Sequence, residues 1–250
     1  IYLFAYNGLT WNKIERLETD TPNYNERFGS AVSLSGDGST IIAGATGVSF
    51  NKNAAVGAVY VFQQDGNTWL QKAEVFASKK ARGAQFGSPL DISHDGNYFV
   101  ASSLLKQAVF VFGYDGHSWI EQSTFSAENT ESGDDFGRAV SMSADGNHIV
   151  ISSSSERSKA VGINGDQLSN HYSNAGAAYL FAFDGASWQQ QAYLKATNTE
   201  SGDEFGHSVA ISADASRIVV GTSYEDSNAI GINGDQTSQS ALHSGAVYVY

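Results

Sequence analysis

Apolar and polar positions along this chain fall into short runs of period two, each closed by a glycine–aspartate cluster. In Val59-Tyr60-Val61-Phe62 the valines point one way and the aromatics the other, because strand side chains alternate between faces. Both faces are apolar, so such a strand must be covered on both sides; a half-exposed sheet would alternate apolar with polar. Related runs stand at Tyr2-Leu3-Phe4, Ala108–Phe112, Ala177–Phe181 and Ala246–Tyr250. No apolar stripe of helical period has useful length. The pattern predicts an all-β protein.

The runs belong to one unit used four times. Trp11, Trp69, Trp119 and Trp188 are each followed, seventeen residues later, by Phe28-Gly29, Phe86-Gly87, Phe136-Gly137 and Phe205-Gly206. Three residues before each tryptophan stands a glycine: Gly8, Gly66, Gly116 or Gly185. Each unit predicts four strands. The first spans 28–35, 86–93, 136–143 and 205–212, and enters a tight turn carrying Asp37, Asp95, Asp145 or Asp214. Asp-Gly between apolar runs signals a hairpin with primed turn geometry, a rule that Ala215 breaks in the last unit. The second strand is Thr40–Ala45, Tyr98–Ser103, His148–Ser153 and Arg217–Thr222; the third is the run already described; the fourth starts at each tryptophan. Four-stranded sheets packed face to face are the blades of a β-propeller.

Units differ in length at one place only. From each Phe-Gly to the next tryptophan the distances are 41, 33 and 52 residues, so every insertion falls between strands two and three. The long loops are Thr46–Gly57, Ser154–Gly176 and Ser223–Gly245, and the last two share Gly-Ile-Asn-Gly-Asp-Gln at 162–167 and 231–236. Insertions gathered at one connection map to one face of a repeat protein, often the binding face. The chain starts and stops on a third strand, with five third strands against four of every other kind. We therefore expect a single, incomplete propeller over 1–250, with units centred on 28–62, 86–112, 136–181 and 205–250, belonging to a larger seven-bladed ring whose remainder lies outside this chain.

Composition narrows the function. The net charge of −12 provides no basic face for a phosphate backbone, which excludes nucleic acid as the expected partner and disfavours an anionic membrane surface. No apolar run is long enough to span a bilayer as a helix. With no cysteine there is no disulfide frame, thiolate metal site or sulfur nucleophile.

The sequence Phe-Gly-x-Ser-Val-x-Ile-Ser, followed by Ile-Val-Val-Gly and Ser-Gly-Ala-Val-Tyr-Val-Tyr, resembles the FG-GAP repeat of integrin α-subunit propellers and their bacterial relatives. The likeness covers nearly the whole chain, is fullest at 205–250 and 28–62, and is weakest in unit two, where Pro89 and Ala101-Ser102-Ser103 depart from it. It implies a propeller whose first strand lines the axis, and a role in adhesion or recognition outside the cell or at its envelope. Many members of the family bind calcium through Asp-x-Asp-x-Asp-Gly in the turn between strands one and two. Here each turn offers a single aspartate, which points to plain turn residues instead.

Candidate chemistry lies on the loops between strands four and one, Glu128–Asp135 and Asn198–Glu204, which a propeller places beside the long insertions. Asp134, Asp166, Asp203 and Asp235 are the candidate oxygen ligands there, and calcium is the ion they could hold. Glu225 and Asp226 add to the same acidic face, whereas unit two carries Lys79-Lys80-Ala81-Arg82. The four tryptophans could stack on sugars, although one aromatic per repeat on an outer strand is more simply blade packing. No protease, phosphate-loop, nucleophile-elbow or dinucleotide motif is present. The axial positions are Ser30, Ser88, Arg138 and Ser208, with His207 beside the last, a set without converging acids. The expected function is non-enzymatic recognition of a protein or glycan through the loop face; the alternative is the propeller domain of a secreted polysaccharide-acting enzyme.

Overall fold

A computed structural model of the chain describes residues 1–126, 129 and 131–250. It contains seventeen strands, with one 3-10 turn at Leu104–Lys106 among the described residues. Three complete four-stranded antiparallel sheets follow one another. The first is β3 (Phe28–Leu34), β4 (Thr40–Ala45), β5 (Ala58–Asp65) and β6 (Thr68–Val75). The second is β7 (Leu90–Ile92), β8 (Tyr98–Ser103), β9 (Ala108–Tyr114) and β10 (Trp119–Phe125). The third is β11 (Phe136–Met142), β12 (His148–Ser153), β13 (Ala177–Phe183) and β14 (Trp188–Leu194). They are flanked by the pair β1 (Tyr2–Tyr6) and β2 (Trp11–Arg16) and by a last sheet of β15 (Ser208–Ile211), β16 (Ile218–Thr222) and β17 (Ala246–Val249). The architecture is all-β, built of propeller blades whose inner strands neighbour one another in the order β3, β7, β11, β15.

Core packing follows from the two apolar faces of strand three. Val59 and Val61 enter the cluster shared with the second blade, where Phe86, Phe99 and Phe112 meet them. Tyr60 and Phe62 point the other way, into the cluster shared with Leu17 and Leu3 of the first pair. The rule repeats in the next blade: Val109 and Val111 pack forward against Phe136 and Tyr179, while Phe110 and Phe112 pack back. Aromatics therefore face the preceding blade and aliphatics the following one. Each buried side chain of this size contributes about 1.5–3 kcal/mol by leaving water. At the two ends the rule leaves a face without a neighbour. Tyr2, Phe4 and Tyr6 are exposed at one end, and Val247 and Val249 at the other.

The Phe-Gly pair has a geometric cause. Phe86, Phe136 and Phe205 are fully buried. Gly206 sits at φ 91°, and a Cβ there would lie 2.7 Å from the Ala177 carbonyl oxygen of the preceding blade. Reciprocally, a Cβ on Gly44 would meet the Gly87 carbonyl oxygen at 1.8 Å. The two motif glycines thus mark where consecutive blades touch backbone to backbone. The residue before each motif Phe is also left-handed, at Arg27 (φ 56°), Gln85 (53°), Asp135 (61°) and Glu204 (54°).

Two expectations need correction. The inner strand of unit two is only Leu90–Ile92 where 86–93 was expected, because Pro89 has no N–H to place in the ladder. That of unit four shortens similarly to Ser208–Ile211. The turns after strand one are not two-residue primed turns, since the aspartates keep negative φ and only the next residue is left-handed: Gly38, Gly96, Gly146 and, at φ 58°, Ala215. A serine two residues before each aspartate explains the difference. Ser35 Oγ donates to Asp37 Oδ1 at 2.5 Å while accepting the Thr40 N–H at 2.9 Å, and Ser93, Ser143 and Ser212 repeat the pattern.

Candidate recognition rim

The two rims of the arc are built differently. One holds the short turns between strands one and two and between strands three and four. Here the main chain forms a ladder from blade to blade: Asp37 N–H donates to the His94 carbonyl, His94 to Ala144, and Ala144 to Ala213. The turn aspartates are spent in their own turns. The Ser35 hydroxyl and the Ser39 N–H hold Asp37 below the usual carboxylate range. The Ser212 hydroxyl and the Ser216 N–H bring Asp214 down to about 2.

The other rim carries the insertions and the connections from strand four to strand one, and the two sets are bonded together. In unit three the Asn129 amide donates to Glu156 Oε1 and to the Gln167 carbonyl, each at 3.2 Å, and its oxygen accepts the Tyr179 hydroxyl at 3.0 Å. Sixty-nine residues later the same device recurs. The Asn198 amide reaches Glu225 Oε1 at 2.9 Å and the Gln236 carbonyl at 3.4 Å, and Tyr248 donates to its oxygen at 2.5 Å. Gln167 and Gln236 end the repeated Gly-Ile-Asn-Gly-Asp-Gln stretch, which is therefore a docked strap and not a free loop. Burial, reinforced by Glu156 and Glu225 respectively, raises the phenols of Tyr179 and Tyr248.

Unit three adds a cation inside this network. Lys195 is 0 % exposed and donates from Nζ to Glu156 Oε2 at 3.0 Å and to the Ser158 carbonyl at 2.9 Å. Burial lowers the lysine's pKa, and the Glu156 carboxylate opposes that. Ser158 also shares a short hydrogen bond with the Tyr193 hydroxyl.

The four metal candidates take two kinds of position. Asp134 and Asp203 are buried in the connections before β11 and the last Phe-Gly, where each Oδ2 accepts the N–H three residues earlier, of Glu131 and Glu200. Burial raises both, Asp203 to about 6 with help from Glu200, Glu225 and Asp226. Asp166 and Asp235 lie on the straps and accept the N–H groups of Leu168 and Thr237. Among the described residues no three His, Asp or Glu side chains are placed to share one ion. Glu128 and Thr130, named with the acidic connection of unit three, lie outside the described residues.

The tryptophans sit at the starts of the outer strands. Trp188 packs on Phe125 of the preceding blade at 5.6 Å and on Phe183 of its own hairpin at 5.6 Å. Trp119 meets Phe99 at 4.9 Å, Trp69 borders the first cluster, and Trp11 lies tilted against Tyr6 at 5.4 Å while remaining exposed. At the axis, Ser30, Arg138 and Ser208 are exposed and Ser88 is half-buried. Asp91 joins three blades there. Its carboxylate accepts the Ser33 hydroxyl at 3.0 Å from one neighbour and the Met142 N–H at 2.9 Å from the other. Sequence reasoning passed over it, although it is an acid where the other inner strands carry Ser33, Ser141 and Ala210. Asn129, Glu156, Tyr179 and Lys195 were passed over too; the 69-residue recurrence of the first three was the available signal.

The curated proteins contain no match to this chain. Among solved structures it is similar to a candidate 6-phosphogluconolactonase from Bacteroides fragilis, at 14 % identity and TM-score 0.52, over 100 % of this chain and 67 % of that one. A second candidate 6-phosphogluconolactonase, from Bacteroides uniformis, aligns at 16 % identity and TM-score 0.51, over 88 % of this chain. The chain spans 57 % of that protein's length. At these identities the likeness is one of fold. No helix among the described residues is long and apolar enough to cross a membrane. The FG-GAP repeat model matches residues 11–62, 119–181 and 188–250, each match opening on a tryptophan and passing over the segment that holds Pro89. With most of its length so matched, and with motif glycines seated at the blade contacts, the chain belongs to the FG-GAP repeat family.

Proposed function

We propose that this protein is a recognition module, acting outside the cell or at its envelope, that binds a protein or glycan through the strapped rim without transforming it. The observation that supports this reading is that all length variation falls on one rim, where the insertions are pinned by Asn129–Glu156 and Asn198–Glu225. Pinned straps lose little conformational entropy when a ligand arrives, so their exposed tips can give affinity at low cost. Asp166, Leu168, Ile232 and Asp235 are the kind of outward-facing residues such a surface would use.

The test is a glycan array followed by turnover assays on any hit, with a protein-capture arm beside it. Binding that falls at least tenfold in Asp166→Ala/Leu168→Ser, at unchanged melting temperature and with no product formed, is the expected result. A hit that is hydrolysed, with hydrolysis abolished by one carboxylate substitution, would replace this reading with the enzymatic one. Calcium enters as a separate arm: a rise in melting temperature on adding it, lost in Asp134→Asn and Asp203→Asn, would give the ion a part in the rim.

A further inference from the structure

The acid excess behind the net charge of −12 is not spread evenly round the strapped rim. Counted from the motif phenylalanine, units three and four place a buried acid two residues before it, Asp134 and Asp203, and another twenty residues after it, Glu156 and Glu225. Unit two has Ala84 at the first of these positions and Lys106 at the second. Its connection from strand four, residues 76–85, carries Lys79, Lys80 and Arg82 and no acid. The corresponding stretches 126–135 and 196–204 carry four and three acids and no base. The insertion of unit one, 46–57, adds Lys52 and again no acid. Over this sector the rim changes sign.

Hydrogen bonds gather the three segments at the junction of the first two blades. Gly83 N–H donates to the Ala54 carbonyl and Gln85 N–H to that of Ala55, each at 3.0 Å. The Asn53 amide donates to the Lys80 carbonyl at 2.9 Å. The Ser103 hydroxyl, three residues before Lys106, donates to the Ala84 carbonyl at 2.6 Å. Lys80 Nζ lies 3.7 Å from the centre of the Phe50 ring and 4.9 Å from that of Phe76, which holds its charge at the surface. Lys52, Lys79, Arg82 and Lys106 are exposed, and among the described residues none of the five cations forms an ion pair. Glu121, the carboxylate bonded to this sector, is occupied by the Ser78 N–H and hydroxyl at 2.8 Å each. Cations gathered on a fixed backbone repel one another, and an anionic ligand relieves that repulsion as it binds.

We propose that this sector binds an anionic polysaccharide, one bearing carboxylate or sulfate groups along its chain, an assignment that rests on the rim being a recognition surface. Protein interfaces are anchored by large apolar side chains, and in these three segments Leu105 is the one such residue exposed. The cations are interleaved instead with Asn51, Asn53, Gln85 and Gln107, whose amides suit sugar hydroxyls. A linear polymer with charges at regular intervals meets several cations at once, so weak single contacts add up to useful affinity. A duplex or a membrane surface, being broader, would also press on the exposed Glu131 in the next unit.

The probes are oligogalacturonate and sulfated dextran, titrated into the protein by calorimetry at low salt, with fully methyl-esterified oligogalacturonate as the uncharged control. We expect saturable binding of a charged polymer that weakens as salt is added, and none of the ester. Lys79→Gln/Arg82→Gln and Lys52→Gln/Lys106→Gln should each weaken binding by about tenfold at unchanged melting temperature, whereas Arg217→Gln, on the opposite rim, should leave it unchanged. The proposal is overturned if neither charged polymer binds, if binding survives both double variants, or if duplex DNA, polyglutamate or anionic phospholipid vesicles bind as tightly. A neutral glycan or a protein captured through Asp166 and Leu168 would leave the recognition rim standing while this assignment falls. A rim that binds none of these ligands would remove both.

Discussion

At the scale of single residues, conformation and ionisation decide more than identity does. Ala215 holds a left-handed backbone where its three counterparts are glycine, at a cost of about 1 kcal/mol. Ala215→Gly should therefore raise stability by about that amount, read as a higher midpoint in urea denaturation. Asp203 behaves as a buried acid whose folded pKa, about 6, lies above its ordinary 3.8. Between those values the folded state holds a proton that the unfolded state has lost, so stability falls as pH rises from about 4 to 6. Asp203→Asn keeps the acceptor for the Glu200 N–H and removes the charge. It should gain about 1–3 kcal/mol above pH 6 and nothing below pH 4, measured by melting across that range. The motif Phe and Gly were legible in the sequence, because a fixed spacing betrays them. The left-handed residue before each Phe was not, since Arg, Gln, Asp and Glu occupy it in turn.

Strands were legible wherever both faces are apolar, as in β5, β9 and β13, because these runs are short, bounded by turn residues and rich in aromatic or β-branched side chains, which decides for strand over helix. Inner strands were less so: Pro89 cuts β7 to three residues, and only pairing partners fix where it starts. The straps were legible as insertions but not as ordered elements, for their order comes from contacts across tens of residues, such as Asn170 Nδ2 to Glu131 Oε1 at 2.6 Å. The docking of the unit-three insertion can be tested through its ion pair. Lys195→Met leaves Glu156 charged and buried and should cost about 3–5 kcal/mol. Adding Glu156→Gln should recover most of that loss, a coupling that a double-mutant cycle in urea measures directly. Equal and additive losses would mean that the pair contributes packing alone.

Over the whole molecule, the blade order and the assignment of insertions to one rim came from counting residues. Which side chains bridge blades did not, since Asp91 touches partners 58 and 51 residues away. The ladder running Asp37, His94, Ala144, Ala213 has a further consequence. Repeat arrays joined only by side-chain contacts can come apart one unit at a time. Here a continuous main-chain hoop stitches four units along the rim opposite the straps, so peeling one blade breaks a bond in the next. Amide exchange at His94 and Ala144 should then report the same opening free energy as the blade interiors, and heating should give one transition with equal calorimetric and van't Hoff enthalpies. A staircase of separate openings would mean that the hoop is slack. Taut, it turns a row of similar modules into a single mechanical body, leaving the opposite rim free to diversify at no cost to the rest.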